Sequence, residues 1–250
     1  MNIIPAIDLY EGKVVRLIKG DYSKMKIYSD SPLTVAMKFE KAGINTLHLV
    51  DLEGAISDTV VNMDSIEEIV KGTGLKIHFG GGVKSEGMIK KLLKMGISRV
   101  VIGTKAITEP DFVLSCLEKF GSDTLIPSID LKNNKPCSNG WRDTHDIDFN
   151  LLLDIYYKKA KFLMSTDILS DGTMTGVNAN FYKKLVQQRP SFSIIASGGV
   201  AGVDDLKLLS DAGCWGAVIG KSIYENIITI EEIEKHNNLN LVEKTNYVAN

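Results

Sequence analysis

The chain has 250 residues, of which 44% are hydrophobic and 24% charged, as in a globular protein with one large core. Its 29 basic and 31 acidic residues nearly cancel, so no overall field attracts nucleic acid or an anionic membrane. The three cysteines form no C-x-x-C pair, which argues against a disulfide framework or a zinc site. The chain has no signal-like start and no long apolar run, so we expect a cytoplasmic protein that neither spans nor binds a membrane.

Eight short runs rich in Ile, Val and Leu recur along the chain and are predicted to be strands. They cover 2–8, 46–51, 75–79, 99–103, 124–130, 161–166, 192–197 and 216–220. The segments between them have helical spacing, as over 85–95, with Met88, Ile89, Leu92 and Leu93 on one face, and over 203–212, with Leu206, Leu208 and Leu209. Helices are predicted to end at Gly43, Gly96 and Gly213.

Continuously apolar strands are buried on both faces, and helices supply the long crossovers that parallel strands need. The eight units therefore predict an α/β fold, a single (β/α)₈ TIM barrel. An open doubly wound sheet is the alternative.

Segments of the first half recur in the second half in the same order. Ile4–Leu9 recurs as Ile126–Leu131 at an offset of 122, and Gly81-Gly82-Val83 recurs as Gly198-Gly199-Val200 at an offset of 117. Such self-similarity predicts one domain over 1–250 built from two half-barrels, about 1–122 and 123–233, followed by a tail at 234–250. In a closed ring, each strand then lies opposite its counterpart.

Two carboxylates occupy equivalent positions at the ends of the first and fifth predicted strands, Asp8 and Asp130. The active site of a TIM barrel lies at this end of the strands, so the two side chains should face each other across the mouth. Two acids in different surroundings can serve as general base and general acid. The alternative is that both only cap or orient loops.

Glycine pairs follow the strands of both halves and predict two phosphate sites, because a backbone without Cβ atoms can approach an anion closely. The first site comprises Gly81, Gly82, Gly103 and Thr104, and the second comprises Ser197, Gly198, Gly199, Gly220 and Lys221, with Asp171, Gly172 and Gly176 in the loop that follows the sixth strand. A phosphate site after the seventh and eighth strands is common in this fold. The alternative is that these glycines only form tight turns.

Five further residues are candidates for contact with the substrate or with a catalytic acid. Arg16 and Gly20 lie in the loop after the first strand, which could form a lid, and Trp141 could stack on a flat substrate or pack on the surface. His48 could face inward from its strand or serve a structural role. Thr166 could hydrogen-bond a reacting group or orient an acid. No P-loop, G-x-G-x-x-G or H-E-x-x-H motif is present, so we expect acid–base catalysis without cofactor or metal.

Several of these motifs together resemble one family over nearly the whole chain, the phosphoribosylformimino-aminoimidazole carboxamide ribotide isomerases of histidine biosynthesis. The resemblance is carried by Pro5–Leu9, Gly12–Leu17, Gly20-Asp21-Tyr22, His48–Leu52, Gly80–Val83, Gly140-Trp141, Thr166-Asp167, Asp171-Gly172-Thr173 and Ser197–Val200. One departure is Lys84, where the family usually has an arginine, which puts the charged part of the first phosphate site in doubt.

The resemblance implies an Amadori rearrangement of an aminoaldose, with a phosphate at each end, to its aminoketose. It implies that Asp8 is the general base that removes the sugar C2 proton and that Asp130 is the general acid that protonates the furanose oxygen. It also implies a supporting role for Thr166, a loop aromatic at Trp141, and a monomer.

Three alternatives stay open from the sequence. The sister cyclase, the cyclase subunit of imidazole glycerol phosphate synthase, shares the duplicated barrel, although Pro5–Leu9 and Gly140-Trp141 favour the isomerase. A dual-substrate isomerase would also convert phosphoribosylanthranilate by the same chemistry. A non-catalytic module that binds phosphate sugars would need the two aspartates only to position its ligand.

Overall fold

The computed structural model describes residues 1–57 and 59–235. The strands are β1 (Asn2–Tyr10), β2 (Lys13–Ile18), β3 (Asp21–Ser29), β4 (Thr46–Asp51), β5 (Lys76–Gly80), β6 (Arg99–Ile102), β7 (Leu125–Pro127), β8 (Asp130–Lys132), β9 (Lys135–Ser138), β10 (Asp143–Thr144), β11 (Phe162–Thr166), β12 (Ser193–Ser197) and β13 (Gly216–Ile219). The predicted tail lies outside this description from residue 236 onward.

The helices are α1 (Pro32–Lys41), α2 (Leu52–Ile56), α3 (Met63–Gly72), α4 (Glu86–Met95), α5 (Thr104–Thr108), α6 (Pro110–Phe120), α7 (Phe149–Tyr156), α8 (Ala179–Gln188), α9 (Val203–Asp211) and α10 (Lys221–Tyr224). Within the described ranges, none of these helices is long and apolar enough to cross a membrane.

Eight parallel strands form the barrel, in the order β11, β12, β13, β1, β4, β5, β6 and β7. The ring is completed between β7 and β11 by two isolated bridges, Ser128 to Met164 and Leu131 to Asp167. The predicted (β/α)₈ barrel is therefore confirmed, and the boundary placed near residue 122 falls in the turn between α6 and β7.

Each half of the barrel carries an antiparallel hairpin that starts from its first strand. In the first half β2 folds back on β1 and pairs Asp8 with Val15, and in the second half β9 folds back on β8 and pairs Asp130 with Cys137. These pairs are related by the same offset of 122 as the repeat in sequence. The hairpin also explains why the predicted strand over 124–130 is interrupted, since Asp130 already belongs to the hairpin.

The periodic helices pack as their spacing predicts, with one exception. In α4, Ile89 and Leu92 are fully buried, and the left-handed Gly96 ends the helix. In α9, Leu206 and Leu209 are buried, three positions apart on one face, but Leu208 is 49% exposed. Leu208 belongs to the apolar repeat over 203–212, but it lies two residues from Leu206 and so turns away from the barrel.

The apolar core has two layers. The larger layer lies between the strands and the surrounding helices, and the smaller fills the inside of the barrel with Ile4, Ala6, Val101, Ile126, Phe162, Met164, Ile195 and Val218. Because successive strand residues point to opposite faces, one strand contributes to both layers, as Ile4 and Ile3 of β1 do. The filled interior leaves the mouth at the strand ends as the place for a ligand.

Two glycines of α4 should respond to alanine in opposite directions. Gly87 has ordinary space for a Cβ atom in the first turn, so Gly87→Ala should raise the free energy of unfolding by about 0.5 kcal/mol. Gly96 has a φ of 115°, and a Cβ atom added to it would lie 2.9 Å from Val70. Gly96→Ala should therefore lower the free energy of unfolding by about 1 to 2 kcal/mol. Urea unfolding of both variants measures this, and equal effects would contradict the assigned cap.

Candidate active site

One cavity opens at the carboxyl ends of the barrel strands and brings together nearly all the residues predicted from the sequence. Its lining includes Asp8, Arg16, Gly20, His48, Gly81, Gly82, Gly103, Thr104, Asp130, Trp141, Thr166, Asp171, Gly172, Ser197, Gly198, Gly199, Gly220 and Lys221, together with Lys84. Gly176 lies behind this surface, where its backbone N–H donates a 3.1 Å hydrogen bond to the carbonyl of Gly199. It supports the loop instead of facing the cavity.

Asp8 ends the apolar part of β1 and forms an ion pair with Arg16 of the neighbouring strand β2. The Arg16 Nη1 atom lies 2.6 Å from Asp8 Oδ2, and the two side chains are only 13% and 15% exposed. Burial raises the pKa of Asp8, and the charge and hydrogen bond of Arg16 oppose that rise. The ionised carboxylate therefore has a fixed counter-ion inside the mouth.

Asp130 has the equivalent place in the second half, but its hydrogen-bond donors are neutral groups. Trp141 donates its indole N–H to Asp130 Oδ2 at 2.7 Å, and the Ser128 hydroxyl donates to Oδ1 at 3.0 Å. Burial raises the pKa of Asp130, and the hydrogen bonds from Trp141, Thr166 and Ser128 oppose that rise. The donors to Asp130 are neutral whereas the donor to Asp8 is a cation, so Asp130 can hold a proton at a lower cost than Asp8 can.

Asp171, predicted to lie in the loop at the second phosphate site, adds a third carboxyl group to the same mouth. Burial raises its pKa to about 6, Arg16 opposes the rise, and the negative charges of Asp8, Asp130 and Asp167 add to it. The Lys19 N–H donates to the Asp171 carbonyl at 3.1 Å and ties this loop to the end of β2. The mouth therefore contains three carboxyl groups, of which Asp8 and Asp171 interact with the Arg16 guanidinium.

Asp171 should make folding stability depend on pH. Because its folded pKa of about 6 exceeds the ordinary 3.8, the native state binds more protons between these values, and its contribution to stability falls as pH rises from about 4 to about 6. Asp171→Asn should remove this dependence and stabilise the fold at neutral pH, by up to about 3 kcal/mol. Urea unfolding from pH 4 to pH 8 measures it. The exposed Asp30→Asn is the control, and parallel curves for parent and Asp171→Asn would contradict the assignment.

His48 lines the cavity as a neutral ring. Burial, with the nearby charge of Arg16, lowers its pKa to about 4. Its Nδ1 atom is buried and has no hydrogen-bond partner among the described residues. His78 on the adjacent strand is fully buried, and burial lowers its pKa to about 3. His48 thus offers the cavity an uncharged polar group.

The glycine loops of the two halves have the same construction. Gly81 and Gly82 have φ values of 100° and 72°, and a Cβ on either would overlap the carbonyl of Asp51 or Thr59. Gly198 and Gly199 have φ values of 88° and 86° and pack against backbone carbonyls in the same way. Only glycine suits these four positions, which leaves bare backbone facing the cavity.

The glycines that follow β6 and β13, Gly103 and Gly220, have different surroundings in the two halves. No described atom lies within 4 Å of the place for a Cβ on Gly103, and the hydroxyl of the adjacent Thr104 accepts a 3.0 Å hydrogen bond from the Asn139 N–H. On Gly220 the place for a Cβ is filled by the guanidinium of Arg16. Lys221 donates to the carbonyl of Gly172 at 3.0 Å. Cations thus gather at the second glycine loop.

The loop that presents Trp141 is strained. Asn139, Gly140 and Trp141 have consecutive left-handed φ values of 53°, 63° and 67°, which cost energy for residues with a Cβ atom. A Cβ on Gly20 would lie 2.7 Å from the indole ring, so the loop after β2 lies directly against Trp141. The two hairpins of the repeat therefore meet over the cavity, each beside its own aspartate.

Comparison with known proteins gives a consistent family. Residues 2–229 match the family described as "Histidine biosynthesis protein". A protein of Flavobacterium psychrophilum is 39% identical over 94% of this chain and 98% of its own, and one of Bacteroides thetaiotaomicron is 40% identical over 93% and 98%. One of Campylobacter jejuni subsp. doylei is 41% identical over 92% and 96%. All three are named isomerases of a 1-(5-phosphoribosyl)imidazole-4-carboxamide that bears a (5-phosphoribosylamino)methylideneamino group.

Proposed function

The chain belongs to the histidine biosynthesis protein family, and from that membership we propose how its residues perform the family's isomerisation. The chain is an isomerase of histidine biosynthesis. Its reaction is the Amadori rearrangement that converts the phosphoribosylamino group, an aminoaldose, into the corresponding aminoketose.

The two ends of the substrate match the two glycine loops. The relatives' names specify two 5-phosphoribosyl groups, so the molecule carries a phosphate at each end. One phosphate would lie on the backbone of Gly81, Gly82 and Gly103, and the other on Gly199 and Gly220 near Arg16 and Lys221. Holding both ends leaves the sugar between Asp8 and Asp130, which restricts its motion and positions it for reaction.

Asp130 is the general acid in this proposal. It protonates the furanose oxygen, the ring opens, and an iminium group is left at C1. The raised pKa and the neutral donors of Asp130 favour a carboxyl that delivers a proton. Thr166 and the Trp141 indole orient it and stabilise the carboxylate that forms.

Asp8 is the general base. It removes the proton from C2, which becomes acidic beside the iminium, and the resulting enaminol becomes the aminoketose when C1 gains a proton and the C2 hydroxyl loses one. The ion pair with Arg16 keeps Asp8 ionised and ready to accept this proton. The observation that carries the assignment is that two aspartates at equivalent positions have unlike partners, a guanidinium for Asp8 and neutral donors for Asp130.

The decisive experiment is a turnover assay on the histidine-pathway aminoaldose, with phosphoribosylanthranilate assayed beside it. We expect conversion of the aminoaldose to the aminoketose. Conversion of both substrates would identify a dual-substrate isomerase, and binding without turnover would leave a binding module. Ammonia-dependent cyclisation of the aminoketose tests the sister cyclase, and a positive result there would overturn the proposal.

We also propose that the bisphosphate substrate is the main partner of the chain. The formal net charge of −2 supports a protein that acts without nucleic acid or a membrane surface. A monomer in the cytoplasm completes the proposal, and sedimentation of the purified chain tests the oligomeric state.

A further inference from the structure

Arg16 connects two parts of the mouth that the proposed function treats separately. Its Nη1 atom binds Asp8 Oδ2 at 2.6 Å, while its Nη2 atom occupies the place where a side chain on Gly220 would begin. One arm of the guanidinium thus lies on the proposed base, and the other lies on the glycine loop after β13. A planar guanidinium with its fixed fork of donors can bind two acceptors at once, which a lysine cannot do in the same way.

The repeat shows that this contact is specific to one half of the barrel. Gly103 is the counterpart of Gly220, and no described atom comes within 4 Å of its Cβ position. The residue equivalent to Arg16 in the second hairpin is Ser138, which has no charge. A Cβ atom on Gly220 would lie 1.0 Å from Arg16 Nη2. The place of the Arg16 guanidinium is the reason that a side chain does not fit there.

We propose that Arg16 couples the phosphate loop after β13 to Asp8, so that arrival of the substrate phosphate makes Asp8 a stronger base. This inference rests on the proposed function, in which Asp8 is the base and a phosphate lies on that loop. In the free protein, Arg16 neutralises Asp8 and weakens it as a base. A phosphate oxygen that takes the second arm of the guanidinium withdraws part of this counter-charge, and the proton affinity of Asp8 rises.

The direction of the coupling follows from linkage. If bound phosphate favours protonated Asp8, then protonated Asp8 favours bound phosphate by the same factor. Coupling of this kind changes affinity by roughly 5-fold to 150-fold. The binding energy of a remote phosphate is thereby used at the reacting carbon, and Arg16 is a positioning residue that acts through Asp8.

The other ionisable groups around Asp8 and Arg16 do not offer an equivalent link. Among the described residues they are Tyr22 on β3, His48 on β4, Asp130 across the mouth, Asp171 after β11, Tyr224 on α10, and Lys221 on α10, whose hydrogen bond goes to the Gly172 carbonyl. His48 and the two tyrosines are neutral near pH 7, because burial lowers the pKa of His48 and raises those of Tyr22 and Tyr224. Asp171 carries negative charge and cannot bind a phosphate oxygen when ionised, which leaves Arg16 as the bridge.

The test follows the pH titration of the Asp8 carboxyl by its ¹³C resonance in the whole chain. Asp8→Asn identifies the resonance. The titration is run without phosphate and with inorganic phosphate, raised until its own ³¹P resonance stops shifting. We expect phosphate to raise the proton affinity of Asp8 on the order of tenfold. Gly87→Ala, which adds a methyl group on α4 outside the cavity lining, should keep this shift. Gly220→Ala, which displaces the guanidinium, and Arg16→Gln, which removes its charge, should both lose it.

Two outcomes decide against the coupling. No phosphate-dependent shift in the parent chain would overturn it. A shift that persists in Arg16→Gln would show that the phosphate field acts directly on Asp8. If Gly220→Ala does not fold, Arg16→Gln carries the test alone, since it creates no overlap in the barrel. The proposed function is tested separately, because it fails if Asp8→Asn retains turnover, whereas the coupling can fail with that variant inactive.

Discussion

Asp8→Asn is expected to lower kcat for the isomerisation by about 10² to 10⁴-fold, the usual contribution of a general base. An amide has nearly the shape of the carboxylate but cannot accept the C2 proton. It also leaves the Arg16 guanidinium without its counter-ion, which is 2.6 Å away in the parent protein. Steady-state turnover of the aminoaldose measures the loss, and calorimetry with the bisphosphate product measures whether binding persists.

Asp30→Asn is a matched control for this variant. Asp30 also forms an ion pair, with Lys13 at 3.2 Å, but it is 83% exposed and lies outside the cavity lining. An exposed pair contributes at most about 1 kcal/mol to stability, so turnover should stay within about twofold of the parent. If Asp8→Asn kept parent activity, the base would be another residue and the binding module would regain support.

Asp130→Asn is expected to cause a loss of the same order, about 10² to 10⁴-fold in kcat, because an amide cannot deliver a proton to the ring oxygen. The pH profile adds a test that loss of activity alone does not provide. In Trp141→Phe, the donor 2.7 Å from Asp130 is removed, and with it a hydrogen bond that favours the ionised carboxylate. The pKa of Asp130 should then rise further.

For a general acid, a higher pKa keeps the active protonated form to a higher pH. The alkaline limb of the kcat profile of Trp141→Phe should therefore move to higher pH, even if the lost indole also weakens substrate binding. The matched control is Trp215→Phe, because Trp215 lies at the other end of the barrel beside Phe162 and is outside the cavity lining. A limb that moves to lower pH in Trp141→Phe would contradict the role of Asp130.

The barrel was predictable because the apolar pattern of its strands repeats along the chain. Eight apolar runs at even spacing predict eight buried strands, and each corresponds to an observed strand within a few residues. The hairpins over 13–29 and 130–144 were not predicted. Strand β3 is polar and half-exposed, and β9 contains a proline, so neither has the alternating or continuous apolar pattern that indicates a strand.

The candidate site was predictable only in part for the same reason. Asp8 and Asp130 lie at strand ends, and the rule that barrel active sites lie there was enough to place them in one mouth. Their partners depend on the hairpins, because Arg16 and Trp141 reach the aspartates only once β2 and β9 fold back. The proximity of Asp171 to Arg16 likewise depends on a loop after β11 that has no periodic pattern to predict it.

The closure of the ring between β1 and β13 has a consequence for how the chain is made. Asn2 pairs with Gly216, so β1 leaves the ribosome more than 200 residues before β13, and one of its edges stays uncovered until β13 has been made. A strand edge without its partner is a template for pairing with other chains, and such distant contacts form slowly. We therefore expect chains stalled after the first half to aggregate, and protection by a chaperone to matter most during synthesis.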